Sequence, residues 1–153
     1  MKKYTQEEFN EMKIVDGIKQ CPLGDYSGIK SFGNRCSFDY NCVFGDESSF
    51  GDKCVFSWGC SFGAFSSFGD GCSFREMSKF MEQCEFGCGC NFGFGCKFGY
   101  KCGFGMGLRF ERDCSFGENC RVFMPLNQKL GESMPLNQKS GVVAVADKLL
   151  RRK

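Results

Sequence analysis

The chain contains the stretch Phe50-Gly-Asp-Lys-Cys-Val-Phe56-Ser-Trp-Gly-Cys-Ser-Phe62. A phenylalanine stands at every sixth position, and a cysteine stands two positions before each of the last two. The same spacing runs unbroken from Phe32 to Val122, over sixteen large apolar residues of which fifteen are phenylalanine. A short fixed period is typical of a solenoid, in which each unit buries its apolar side chains against the units stacked on it.

The residue after each phenylalanine indicates how many six-residue units make one coil. At eighteen-residue spacing it forms three columns, which read Gly33, Gly51, Gly69, Gly87, Gly105; Gly45, Gly63, Met81, Gly99, Gly117; and Asp39, Ser57, Arg75, Gly93, Glu111. Residues other than glycine fall almost wholly in one column, whereas four-unit coils would scatter them. We therefore predict an all-β solenoid, a three-sided parallel β-helix with about 18 residues per coil and about five to six coils. We expect the glycines to supply turn conformations that other residues reach only with strain.

The repeat also predicts which side chains point inward. The predicted core includes Phe50, Phe56, Phe62, Phe68, Phe74, Cys54, Cys60 and Cys72. Serine replaces cysteine in the same slot at Ser48, Ser66 and Ser78, so the slot requires a small side chain. A buried free cysteine behaves as a small hydrophobe. We expect this packed interior to hold the fold without metal or disulfides.

Thirteen cysteines would suggest a disulfide scaffold in a secreted protein. The count is odd, however, and the first residues lack the apolar core of a signal peptide. We predict reduced thiols in a cytoplasmic or phage-associated protein. Only Cys21 and Cys88 fall outside the phase, so we expect Cys88 to react fastest with thiol reagents, followed by Cys21.

The unit can be written Phe-Gly-x-x-Cys-x, and across roughly residues 24–123 it resembles the hexapeptide repeat of left-handed parallel β-helices. In that repeat an aliphatic residue precedes a glycine, small or acidic residue, and a small residue follows three positions later. The resemblance implies one short strand per unit, a triangular prism and left-handed coiling. Phenylalanine in the aliphatic slot is a departure that implies a fatter or differently packed core. The chain also resembles uncharacterised Cys-Ser-Phe-Gly repeat proteins of gut bacteria and phages, which implies no activity.

The chain divides into three predicted segments. Residues 1–23 form an N-terminal cap, in which the capping box Thr5-Gln-Glu-Glu8 predicts a helix from about Gln6 to Met12. Residues 24–123 form the β-helix. Residues 124–153 form a capping or oligomerisation tail, which contains the segment Met-Pro-Leu-Asn-Gln-Lys at 124–129 and again at 134–139. From Val142 onward we favour a strand or helix folded over the last coil rather than a docking tail.

The hexapeptide-repeat resemblance implies acyltransferase or zinc anhydrase chemistry, which depends on histidine as a base or ligand. The chain has no histidine. We therefore predict a non-enzymatic structural or protein-interaction module without a cofactor, with a His-free acyltransferase-like enzyme as the alternative. A second alternative, a rod-shaped inhibitor of a nucleic-acid-binding partner, is disfavoured because the net charge of +2 is not acidic. This charge also gives no support for binding nucleic acid or anionic membranes directly.

Cysteines supply the only metal-ligand candidates. Cys84, Cys88 and Cys90 lie close together in sequence, and Cys-x-Cys spacing can hold zinc or copper(I). Because Cys84 and Cys90 are in phase and should point inward, they would leave Cys88 alone outside. We therefore favour plain packing over a metal site.

One outward column is rich in aromatic residues. The second residue after the phenylalanine, on the side with few glycines, reads Tyr40, Trp58, Glu76, Phe94, Arg112, and Met77 follows Glu76. Exposed aromatic ridges mark interaction sites. We predict that Tyr40, Trp58, Met77, Phe94 and Arg112 contact a protein partner, most simply a second copy through a two-fold axis. The alternative is that these side chains cover one another or pack under the tail.

Overall fold

The computed structural model describes residues 1–124 and 142–146, and it is a parallel β-solenoid of about 6 coils that repeat every 18 residues. The elements, in chain order, are α1 (Gln6–Asn10), β1 (Ile14–Val15), β2 (Ile18–Cys21), β3 (Cys36–Phe38), β4 (Ser49–Phe50), β5 (Val55–Phe56), β6 (Ser61–Phe62), β7 (Ser67–Phe68), β8 (Ser73–Phe74), β9 (Lys79–Phe80), β10 (Glu85–Phe86), β11 (Asn91–Phe92), β12 (Lys97–Phe98), β13 (Gly103–Phe104), β14 (Arg109–Phe110), β15 (Ser115–Phe116), β16 (Cys120–Met124) and β17 (Val142–Ala146). The predicted solenoid and its coil length are confirmed. Its left-handedness stays a prediction.

The strands form three sheets, which are the walls of the prism. Sheet 1 contains β6-β9-β12-β15, sheet 2 contains β4-β7-β10-β13-β16-β17, and sheet 3 contains β1-β2-β3-β5-β8-β11-β14. The chain visits sheets 1, 2 and 3 in turn, and from β3 to β16 each strand pairs in parallel with the strand eighteen residues away. In sheet 2, for example, Phe68 pairs with Phe50 on one side and with Phe86 on the other.

Phenylalanine rings fill the interior in three columns. The in-phase phenylalanines from Phe32 to Phe110 are at most 6% exposed. Within a column the rings stack in parallel, with centroids 4.5 to 5.1 Å apart. Between columns they meet edge to face, as in Phe56–Phe62 (4.9 Å, 85°), Phe62–Phe68 (5.0 Å, 84°) and Phe56–Phe68 (5.9 Å, 87°). The three ring planes are mutually perpendicular, so positive ring edges meet negative faces throughout, and this packing accommodates phenylalanine in the aliphatic slot.

The small slot holds a hydrogen-bond donor as well as a small side chain. Nine thiols donate to the carbonyl 21 residues earlier, in the preceding coil; Cys72, for example, donates to Gly51 at 3.3 Å. Ser66 instead donates to Gly63 of its own coil at 2.9 Å, and Cys84 of the next coil donates to this same carbonyl at 3.4 Å. Cysteine and serine therefore satisfy the same column of carbonyl groups, which would otherwise lack a partner near the core.

The turn glycines have a different role from the one predicted. The positive φ falls three residues after each phenylalanine, as at Lys53 (58°) and Gly71 (68°), whereas Gly51 and Gly69 beside the phenylalanine have no positive φ. A Cβ on Gly69 would lie 2.7 Å from the carbonyl carbon of Gly51 and 2.8 Å from the Asp52 nitrogen. Glycine is required there because successive coils approach closely, so the prediction of a turn conformation is wrong at Gly69. At Gly33, in the first coil, the prediction is confirmed by a φ of +70°.

The N-terminal segment caps the first coil with aromatic rings. Tyr4 stacks on Tyr26 at 4.9 Å, and Phe9 packs edge-on against Phe32 at 5.2 Å. The capping box is confirmed, since the Thr5 amide donates to Glu8 Oε2 at 2.9 Å and the Glu8 amide donates to Thr5 Oγ1 at 3.2 Å. The helix ends at Asn10 rather than Met12.

Two residues near the cap explain where the sequence reading of this segment fails. Met12 lies past the helix and packs against the core, which draws the chain out of helical geometry before β1. Cys21, predicted to be the second reactive thiol, is buried. It lies opposite Phe38 in the pairing of β2 with β3, seventeen rather than eighteen residues away, so its apparent phase is misleading.

At the other end β17 pairs in parallel with β16 and adds a strand to sheet 2. Residues 142–146 thus adopt the strand form of the predicted covering segment. The repeated segment, apart from its first residue Met124, lies outside the described residues, as does the basic end of the chain. Within the described part, no helix is long and apolar enough to cross a membrane.

Candidate interaction surface

The aromatic corner, defined as Tyr40, Trp58, Met77, Phe94 and Arg112, lies where sheet 3 turns into sheet 1. Tyr40 and Trp58 project from successive coils and stack at 5.2 Å with an interplanar angle of 9°. Their side chains remain 40% and 49% exposed. The two rings therefore cover one face of each other and present their edges outward.

Phe94 and Arg112 form a second pair farther along the same corner. The Arg112 guanidinium lies 5.7 Å from the Phe94 ring centroid, a cation–π contact. Glu76, exposed, stands between Trp58 and Phe94 in the column. The predicted self-covering thus occurs within each pair. Tyr40, Trp58, Met77 and Arg112 stay exposed, whereas Phe94 is half-buried.

The backbone holds this ridge in register. We number the turn residues from the phenylalanine that precedes them, so that the second turn residue is the one on the ridge. The amide of the third turn residue in one coil donates to the carbonyl of the second turn residue in the next coil: Asn41 to Trp58 (3.0 Å), Gly59 to Glu76 (2.9 Å) and Met77 to Phe94 (2.9 Å). Since these bonds recur coil after coil, the aromatic side chains sit on a rigid support. A rigid support lowers the entropy lost when a partner binds.

Met77 is 47% exposed and has a φ of +61°. This left-handed conformation recurs three positions after every in-phase phenylalanine, at all three corners of the prism, so it is a property of the turn rather than of this corner.

A groove of about 380 Å³ lies beside the aromatic corner on sheet 3. It is lined by Gln20, Cys21, Pro22, Ser37, Phe38, Asp39 and Ser57. Asp39 accepts a hydrogen bond from the Tyr40 amide at 2.9 Å, which links the groove to the start of the ridge. No sequence signal pointed to this groove, because it arises where the cap meets the first regular coils.

The three candidate metal ligands do not converge. Cys84 donates to Gly63, Cys90 donates to Gly69 at 3.5 Å, and Cys88 is exposed. Within residues 1–124 and 142–146, no three or more histidine, cysteine, aspartate or glutamate side chains are grouped to hold a metal ion. The inward placement of Cys84 and Cys90 agrees with the packing interpretation.

Hydrogen bonds between neighbouring thiols shift the pKa values of the core cysteines in both directions: the bond with Cys36 lowers the pKa of Cys54, and the bond with Cys72 lowers the pKa of Cys90. Hydrogen bonding to Cys42 and burial raise the pKa of Cys60. The hydrogen bond with Cys120 lowers the pKa of Cys102, but the bond with Cys84 and burial outweigh it and raise the value to about 12. Burial raises the pKa of Tyr26, whose hydroxyl donates to the Pro22 carbonyl at 2.6 Å.

Sequence reasoning missed a second apolar patch, which comprises Phe65, Met81 and Tyr100 and lies where sheet 1 turns into sheet 2. All three side chains are exposed, and Phe65 has a φ of +60°. A signal was available, since Phe65, like Phe94, is out of phase with the six-residue repeat and cannot point into the core. The patch carries no stacked ring pair.

The third corner, which we call the Asx corner, comprises Asn34, Asp52 and Asp70, where sheet 2 turns into sheet 3. Each side-chain oxygen Oδ1 accepts a hydrogen bond of 2.8 Å from the amide eighteen residues later: Asn34 from Asp52, Asp52 from Asp70, and Asp70 from Cys88. The corner therefore uses its polar side chains to join neighbouring coils. Comparison of the chain with protein-family models, curated proteins and solved structures gave no match.

Proposed function

We propose that the protein is a non-enzymatic, rigid β-solenoid that binds another protein through the aromatic corner. The observation that carries the proposal is the half-exposed Trp58, stacked on Tyr40 and fixed by the backbone of the adjoining coils. Tryptophan, tyrosine and arginine dominate the energetics of protein interfaces. Their rotamers are ordered in the free chain here, which reduces the cost of association.

The spacing of the ridge supports the same function. One large side chain projects from each coil, so contacts recur at the strand spacing of about 4.8 Å. A partner that binds this ridge would engage several anchors in one line, whereas the Asx corner has its side chains already committed to hydrogen bonds within the chain.

The test is the double variant Trp58→Ala/Phe94→Ala, with Phe65→Ala/Tyr100→Ala as a matched control on another corner. We expect the corner variant to lose self-association, measured as native mass in solution, or to lose a partner that the wild type and the control both retain. The melting temperature should be unchanged, because these side chains lie outside the core. A monomeric wild type, together with no partner lost by the corner variant, would refute the proposal.

A further inference from the structure

We infer that the aromatic corner binds a second copy of the chain in antiparallel orientation, about a two-fold axis that passes through Glu76 perpendicular to the solenoid. This inference rests on the proposed function of the corner and specifies its partner, orientation and register. The order of residues along the ridge and the distribution of charge along the chain support it.

The ridge is self-complementary when it is reversed about Glu76. The axis reverses both the direction along the solenoid and the direction across the corner, so a residue one coil before Glu76 meets a residue one coil after it. Trp58 then faces Phe94 of the second copy, and each interface contains this aromatic pair twice. Such isologous contacts are the commonest way for identical chains to associate.

The charged ends of the ridge favour the antiparallel orientation. Arg112 faces Tyr40 of the second copy, which provides a cation–π contact, with Asp39 beside that ring. Asp39 also faces Asp113 of the second copy. The Arg112 guanidinium, next to Asp113, offsets the repulsion between these two carboxylates. A parallel arrangement would instead oppose Arg112 to itself.

The centre of the ridge is electrically balanced in the antiparallel arrangement. Glu76 meets its own counterpart on the axis, and Arg75 of each copy flanks the pair. Two carboxylates therefore meet on the axis, and the two guanidinium groups beside them offset their charge.

The charge distribution along the solenoid points the same way. Residues 24–96 contain nine acidic and five basic residues, a net charge of −4, whereas residues 97–124 contain five basic and three acidic residues, a net charge of +2. With the axis at Glu76, residues 97–124 face residues 28–55 of the second copy, which contain four acidic and three basic residues, a net charge of −1. Parallel copies would align sections of like charge, which costs free energy.

Site-specific cross-linking tests the orientation. In a Cys88→Ser background, which removes the one exposed thiol among the thirteen cysteines, a short bis-maleimide is applied to three further variants. We expect Glu76→Cys to cross-link by itself, because its position lies on the axis. Asn41→Cys and Glu111→Cys should cross-link only when the two variant chains are mixed. Asn41, two coils before Glu76, faces Glu111 of the second copy, two coils after it, and neither residue faces its own counterpart.

The outcomes separate this inference from the proposed function. Cross-linking of Asn41→Cys alone would overturn the antiparallel orientation and leave the corner as a binding surface. A wild type whose native mass is that of one chain, with no cross-link in any sample, would overturn self-association, and the proposed function would then depend on the partner comparison above.

A charge variant gives a second measurement that requires no introduced thiol. Arg112→Glu removes the contact with Tyr40 and should raise the dimer dissociation constant at least tenfold, with Glu118→Arg, which lies off this corner, as the control. An unchanged constant would contradict the antiparallel contact, because a parallel dimer merely exchanges one like-charge pair for another.

Discussion

The Asx corner and the aromatic corner share one backbone conformation but use their side chains in opposite ways. In both, the third turn residue has a positive φ and its amide donates to the next coil, as at Lys53 and Gly59. At the Asx corner the second residue accepts a hydrogen bond from that coil, and the first is always glycine. At the aromatic corner the second residue projects into solvent, and the first carries a side chain in four coils of five.

If the proposed function is right, stability and recognition are assigned to separate edges of the prism. The hydrogen bonds of Asn34, Asp52 and Asp70 join coils, so substitution at the Asx corner should weaken the solenoid. The backbone bonds at the aromatic corner do not depend on Tyr40 or Trp58 side chains, so substitution there should change binding and leave the fold in place.

The largest expected effect comes from the core that supports both corners. Phe68→Ala should lower the free energy of unfolding by about 3–5 kcal/mol, because it leaves a cavity between stacked rings. Phe65→Ala, three residues earlier and 54% exposed, should change it by less than about 0.5 kcal/mol. Urea unfolding measures both, and equal effects would show that the in-phase ring is not the one that holds the coils together.

A smaller effect should distinguish the first turn positions. Gly69→Ala at the Asx corner should cost about 1–3 kcal/mol, because the added Cβ meets the backbone of the preceding coil. Ser57→Ala occupies the equivalent position at the aromatic corner and already tolerates a Cβ, so it should cost less than about 0.5 kcal/mol. Thermal unfolding of the two variants side by side would reveal whether close approach is specific to the glycine column.

The side-chain hydrogen bonds between coils at the Asx corner should contribute a smaller but measurable amount to the free energy of unfolding. Asp52→Ala removes the acceptor for the Asp70 amide and should cost about 0.5–1.5 kcal/mol. Asp52→Asn keeps an Oδ1 acceptor and should lose much less of this free energy. If alanine and asparagine are equally destabilising, the carboxylate charge rather than the hydrogen bond is what matters there.

Substitution of Cys88 should have the smallest effect on stability and the clearest effect on the reaction of the native chain with thiol reagents. It is the exposed member of the thirteen cysteines and follows Asp70 at the Asx corner. One thiol per native chain should react quickly with a thiol reagent, and Cys88→Ser should abolish that phase while changing stability by less than about 0.5 kcal/mol. The remaining thiols should react upon unfolding, and fast native reaction of Cys21 would argue against its burial.

The strict period explains why the fold was predictable. Each core position recurs many times, so one reading of the Phe-Gly-x-x-Cys-x unit fixes the inward residues, the coil length and the sheet register together. The placement of Tyr40, Trp58, Phe94 and Arg112 on one corner follows from the same arithmetic. Their function does not, because the repeat describes contacts within the chain.

The features that could not be predicted from the sequence lie where the six-residue period is broken or where a contact depends on side-chain conformation. Cys21 pairs with Phe38, seventeen residues away, so extending the six-residue phase to Cys21 wrongly predicts that it is exposed. Tyr4 and Phe9 precede the repeat, and their packing against the first rings, Tyr26 and Phe32, depends on how the cap folds back. The Asx ladder depends on a side-chain rotamer, and the role of Gly69 depends on a distance between backbones.

The likeness of the coils also bears on how the chain finds its register and how its length can change. If strands paired with a neighbour displaced by one whole coil, every phenylalanine would still point inward, so the repeat alone cannot prevent such a slip. Tyr4 and Phe9, together with the seventeen-residue offset at Cys21, mark one coil as the first and so give folding a fixed starting point. Conversely, deleting or duplicating one coil beyond that point leaves all three columns in phase. An in-frame deletion or duplication of one coil can therefore change the length of the solenoid during evolution while the fold is kept.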